Sequence, residues 1–156
     1  MPTPEFVLKL REKIGHDLLW LPGVTAVVFD DDGRVLLGQR ADTAQWTLIT
    51  GMLDPGEEPA AGAVREVLEE TGIVAEMESL VAVHSQEAIE FPNGDQCQFM
   101  NLVFRARAVA GEAMVNDDES LAVGWFALDE LPELSVRHHQ RLQWALDYDG
   151  ATHFLR

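Results

Sequence analysis

A chain of 156 residues, 47% apolar and 24% charged, is long enough to bury one hydrophobic core without disulfide or metal staples. Its 27 acidic against 11 basic side chains leave a net charge of −16, which argues against a DNA or RNA footprint and against docking on anionic membranes. No apolar run approaches the roughly 18 residues of a membrane span. Residues 1–9 do not look like a signal peptide, and the lone Cys97 allows no internal disulfide, which suits a cytoplasmic location.

Thr3-Pro4-Glu5 reads as a helix start, with a capping hydroxyl and a proline at the first helical position. Phe6, Leu10 and Ile14 form its apolar stripe. Leu18 to Leu21 is an apolar patch ended by Pro22-Gly23, placed to cover an edge of the core or to meet a partner subunit in a homodimer. Val24 to Phe29 and Arg34 to Gln39 flank an Asp-Gly turn and predict a β-hairpin. Trp46 to Thr50 is a short strand. Pro59 to Thr71 is a helix with Ala63, Val64, Val67 and Leu68 apolar, stopped by Gly72. Ile73 to His84 contains a strand, Phe91-Pro92-Asn93-Gly94 is a turn, and Gln98 to Val109 and Val123 to Ala127 are strands. Val136 to Tyr148 closes the chain as a helix with Leu142, Ala145 and Trp144 inward and His138 and His139 solvated. With no repeat or linker, this order predicts a single α+β or layered α/β domain.

Chemistry concentrates in residues 51–73, GMLDPGEEPAAGAVREVLEETGI. Leu53-Asp54-Pro55-Gly56 is a tight turn, and Glu57 and Glu58 suit the helix start that follows. At about 100° per residue, Glu66, Glu69 and Glu70 share one helix face. Three acids in the last turns oppose the macrodipole and repel one another, and Arg65 offsets only part of that. A local rule broken this clearly marks a functional site, and clustered carboxylate oxygens are what Mg²⁺ or Mn²⁺ needs. Taken alone, an ExxEE cluster in so acidic a chain is more often a solvated surface face.

The full spacing changes that balance. Gly51, five residues, Glu57, seven residues and then Arg65-Glu66-Val67-Leu68-Glu69-Glu70-Thr71-Gly72-Ile73 resembles the signature box of the Nudix hydrolases at every fixed position. At ordinary residue usage, chance gives such a match with a probability on the order of 10⁻⁹ per start site. The likeness extends more weakly to Val35–Arg40, Trp46, Asp118-Glu119-Ser120 and Trp125 to Pro132.

The resemblance implies a single domain over residues 1–156, a mixed β-sheet sandwiched between helices, with residues 1–22 as an N-terminal extension. It implies a metal-dependent hydrolase that cleaves the diphosphate linkage of a nucleoside diphosphate joined to another moiety. Mg²⁺, or Mn²⁺, would be held by Glu66, Glu69 and Glu70, with Gly51 through its carbonyl and Glu119 as a further ligand or base. Glu57 would support the loop, and Arg65 would orient the carboxylates. The proton acceptor is Glu69, Glu70 or Glu119. Arg40 is the candidate phosphate contact, weighed against a plain strand-end charge. Trp46 reads as core before base-stacking, and His84 as structural. Met52 stands where many relatives have a second glycine. The implied partner is a small nucleotide-like diphosphate, either an oxidised nucleoside triphosphate or an ADP-ribose or nucleotide-sugar class. The alternative, a catalytically silent Nudix-like binding module, typically loses box acids that this chain keeps. A Ca²⁺ loop at Asp30 to Gly33 lacks its closing glutamate.

Overall fold

The computed structural model describes residues 3–156. In chain order the elements are α1 (Glu5–Ile14), β1 (Leu19–Phe29), β2 (Val35–Arg40), β3 (Trp46–Thr47), β4 (Ile49–Met52), α2 (Pro59–Thr71), β5 (Ile73–Ser85), β6 (Ile89–Glu90), β7 (Gln96–Gly111), β8 (Ser120–Phe126) and α3 (Val136–Leu146). The strands form one mixed sheet with the central order β3-β2-β1-β7-β5. β4 pairs with β1, β6 with β7 and β8 with β2. β1 runs parallel to β7 from Leu19–Cys97 to Phe29–Arg107, and β7 is antiparallel to β5.

The sheet is apolar on both faces because a helix covers each, as the fold class requires. Alternation along β1 divides its side chains between the two covers. Val27 and Phe29 join Val103, Ala82 and the inward Leu142 and Ala145 of α3 in one core. Ala26 and Val28 pack with Val67 of α2 in another, and Val24 with Ala63 and Leu53 in a third. Trp46 stacks edge-on to Phe126, ring centroids 4.8 Å apart, at the border of the α3 core.

Several expectations are corrected. Leu19 to Pro22 belong to β1 and pair with β7, so Pro22-Gly23 does not end the segment and the sheet begins inside the expected extension. Pro22 fits because it needs only to accept, and its carbonyl takes the Leu53 N–H. The patch there is split: Leu21 is buried with Val7 and Cys97, while Leu18 and Trp20 are exposed. In α1, Val7 is the buried residue and Leu10 is exposed. Pro4 takes the N-cap position without a side-chain cap, so Thr3 does not cap. The strand at 46–50 is broken at Leu48, whose side chain is fully buried. Arg11 fastens α1 to the sheet by donating to the carbonyl of Gln96 at 2.7 Å.

Candidate active site

α2 begins with Pro59 at its first position and ends on Gly72, whose φ of 71° is the left-handed conformation glycine adopts without strain. Between them, one guanidinium organises the acidic face. Arg65 grips Glu57 with two hydrogen bonds, Nε to Oε1 at 2.7 Å and Nη2 to Oε2 at 2.8 Å. Its Nη1 donates to Glu66 at 2.9 Å and to Glu69 at 3.2 Å, and Nη2 also reaches the Met52 carbonyl. Glu57 in turn accepts the Asp54 N–H at 3.1 Å. Arg65 therefore ties the loop, β4 and the helix into one unit, and its bond holds the Glu57 carboxyl below the usual range.

Glu66 has a side chain only 5% exposed, pressed against Gly51. A Cβ at residue 51 would overlap the Glu66 carboxyl group, so glycine there is a matter of space. Burial raises Glu66 to about 7, with Arg65 pulling the other way. Glu70 makes no bond to Arg65; burial, then the charges of Glu66 and Asp117, raise it to about 8. Both carboxylates are held where ionisation is costly without an added positive charge.

Arg40 feels the charge of Glu70, but its Nε and Nη2 are bonded to Asp42 at 2.9 and 2.8 Å. The phosphate contact expected of Arg40 therefore requires Asp42 to share or release it. Glu119 is half-buried at the start of β8; its carbonyl accepts the Ala41 N–H, and its N–H donates to Asp117 Oδ1 at 3.2 Å. The loop acid whose charge acts on Glu70 is Asp117, which the sequence reading passed over. Only its place in an acidic run could have marked it. Asn116 pins this loop to the end of α2 by donating to the Leu68 carbonyl at 3.1 Å.

Among the described residues, no three His, Cys, Asp or Glu side chains converge closely enough to hold a cation as they stand. Glu66 and Glu69 are bonded to Arg65. The donor chemistry nonetheless suits a hard divalent cation: carboxylate oxygens, Glu66 enclosed and Glu70 half-buried, beside a glycine that leaves the approach clear.

His138 corrects another expectation. It is not solvated: its Nδ1 is sealed from solvent without a hydrogen-bond partner, and burial lowers the ring to about 3. His139 is exposed, as expected. His84 is structural in the sense that its Nε2 accepts from Arg141 at 3.2 Å and its ring packs edge-on to Trp144.

The NUDIX domain model matches residues 19–145. The chain belongs to the Nudix family. It is 37% identical over 128 residues to a MutT-like protein from Streptomyces ambofaciens, a match covering 81% of this chain and 77% of that one. It is 28% identical over 138 residues to an ADP-ribose pyrophosphatase from Methanocaldococcus jannaschii, covering 86% and 79%. Among solved structures it resembles a MutT NUDIX hydrolase from Burkholderia pseudomallei, with TM-score 0.67 and 33% identity, covering 81% of this chain and 98% of that one. The Nudix box thus lies on the end of β4, the 53–58 loop and α2, with Arg65 as its internal tie.

Proposed function

We propose that this Nudix chain is a pyrophosphohydrolase that cleaves the diphosphate linkage of a nucleoside diphosphate joined to another group. The observation that supports it best is the set of box carboxylates on α2 that Arg65 ties together, with Glu66 enclosed against the space that Gly51 leaves. Glu66, Glu69 and Glu70, with the Gly51 carbonyl and Glu119, would hold Mg²⁺ or Mn²⁺. When bound, the cation neutralises phosphate oxygens and lowers the pKa of water. The residues of the chain do the rest. Arg65 keeps the carboxylates in register, and Arg40, released from Asp42, neutralises a phosphate oxygen. Glu69, Glu70 or Glu119 takes the proton of the attacking water. The water oxygen bonds to one phosphorus, the bridging P–O bond breaks, and a nucleoside monophosphate and the phosphorylated remainder leave. The acidic surface supports a small substrate over a nucleic acid polymer. The buried, unpaired Cys97 supports a cytoplasmic setting.

The test is a panel of nucleoside triphosphates, nucleotide sugars, dinucleotides and ADP-ribose, each with Mg²⁺ or with EDTA, followed by chromatography. The expected result is metal-dependent release of a nucleoside monophosphate, abolished in Glu70→Gln with the melting transition retained. Full turnover by Glu70→Gln, or turnover in EDTA, would sink the assignment.

A further inference from the structure

Beyond α3 the chain bends at Gly150, whose φ of 106° suits glycine alone, and returns to the outer edge of β5. Three hydrogen bonds fasten it there. Thr152 Oγ1 donates to the Leu80 carbonyl at 2.9 Å, the His153 N–H to the Val81 carbonyl at 2.8 Å, and the Val83 N–H to the His153 carbonyl at 3.0 Å. The His153 ring also stacks on Trp144 of α3, with centroids 4.8 Å apart and 26° between the planes. The returning segment is therefore pinned to a strand and to a helix at once.

Between this segment and the end of α3 lies a cleft of about 530 Å³. Small-molecule sites span roughly 300–1,000 Å³, so its size is that of a ligand site. It shares no residue with the signature box or with the 116–119 loop. Its residues Val81, Trp144 and Tyr148 belong to the core that α3 covers, whereas α2 packs on the other core. Most of its lining also falls past residue 145, where the family match ends.

The lining is aromatic and acidic together. Trp144, Tyr148 and Phe154 supply the rings, and Asp147 and Asp149 supply two carboxylates. Each carboxylate makes one local bond: Asp147 Oδ1 accepts from Gln143 at 2.9 Å, and Asp149 Oδ1 from the Ala151 N–H at 3.2 Å. No basic side chain among the described residues forms an ion pair with either. Arg156, also in the lining, places its guanidinium over the Phe154 ring, 5.5 Å from the centroid. The cleft thus already seats one cation on an aromatic face, and its two acids are left to balance another.

We propose that this cleft binds a small organic cation of the quaternary-ammonium class, with Trp144, Tyr148 and Phe154 against its methyl groups and Asp147 and Asp149 balancing its charge. The proposal stands apart from the hydrolase reading of the α2 end. Aromatic rings attract a cation through their negative faces, and a quaternary ammonium is the cation such rings recognise best. An anionic ligand would meet two carboxylates here and be repelled. A hard metal ion asks for converging oxygens, and no three acids converge among the described residues. The net charge of −16 raises the local concentration of any cation at the surface.

The probe is choline, and the control is dimethylbutanol, its uncharged isostere with carbon in place of the ammonium nitrogen. Ligand-observed NMR titration of the full chain gives Kd for each. The wild type is expected to bind choline more tightly than the isostere by on the order of tenfold or more. Phe154→Ala removes a ring that is 56% exposed and weakens choline by roughly threefold or more. Asp147→Asn combined with Asp149→Asn weakens choline by about as much and leaves the isostere unchanged. Arg156→Ala moves the other way, tightening choline about twofold, because a like charge leaves the cleft. All of these side chains are exposed, so each variant is expected to keep the wild-type melting transition. No choline binding by the folded wild type overturns the proposal, as does equal affinity for the isostere. Unchanged choline affinity in both Phe154→Ala and the double aspartate variant overturns it too. So does displacement of choline by Mg²⁺ at matched ionic strength, which would locate the cation on the acids of α2. Choline binding by Glu70→Gln equal to that of the wild type supports it, whether or not any nucleotide is turned over.

Discussion

Arg65 has four carbonyl or carboxylate partners besides its own backbone, and it is the residue on which the acidic face depends. Replacing it with alanine leaves Glu66 nearly enclosed with no positive charge, at a cost of about 3–5 kcal/mol. Denaturant unfolding of Arg65→Ala measures that cost, and Arg65→Lys is expected between it and the wild type, because an ammonium cannot hold Glu57 and Glu66 together in one plane. An unchanged midpoint in Arg65→Ala would show that the network is not a stabilising unit. Gly51→Ala tests space instead of charge. Its methyl group overlaps the Glu66 carboxyl, so the side chain must move. The expected loss is about 1–3 kcal/mol of stability, together with a fall in metal-dependent turnover.

At the scale of elements, α2 was the part most legible in the sequence. Its bounds, Pro59 to Thr71, and its glycine stop are local signals, and the structure keeps them. Gly72→Ala puts a Cβ on a left-handed residue already close to the Glu112 carbonyl and Met114, so melting is expected to show a loss of about 1–2 kcal/mol. What the sequence hid depends on neighbours distant in the chain. Pro22-Gly23 looks like a break, but β4 and β7 flank it and hold it in the sheet. Leu48 reads as mid-strand until the core draws it in. His138 looks like the wet side of an amphipathic helix, because nothing nearby in sequence shows that the fold will seal its Nδ1. For the site, the box residues were readable from spacing. Asp117, beside Glu70, was not, since a loop acid carries no periodicity.

At the scale of the whole molecule, two half-buried histidines weaken the folded chain in acid. Burial, then Arg141, lower His84 to about 4 and His138 to about 3, whereas the unfolded chain has ordinary imidazoles near 6.5. Above that value the histidines are neutral in both states and cost nothing, while Glu66 and Glu70, raised to about 7 and about 8, work the other way and favour the folded chain as pH falls from 8 toward 4.5. As pH falls from 6.5 toward 4 and then 3, the unfolded chain's histidines take up protons first and their contribution to stability is lost. Denaturant midpoints across pH 3–8 are expected to fall less steeply on the acid side in His138→Gln than in the wild type; parallel profiles would show that His138 titrates normally. The −16 charge works separately. Salt shortens the reach of self-repulsion from about 30 Å at 0.01 M to about 8 Å at 0.15 M, so the melting temperature is expected to rise with added salt.

The parallel pairing of β1 with β7 also sets a timetable. Leu19 finds Cys97, and Phe29 finds Arg107, half the chain away in sequence. During synthesis β1 emerges early and must wait, unpaired along that edge, until the far strand exists. Such non-local closure is entropically slow, and refolding belongs in the millisecond-to-second range. The strand at the centre of the finished sheet is thus among the last to have both its neighbours, and until then its apolar side chains are the surface a chaperone or a second nascent chain would meet first.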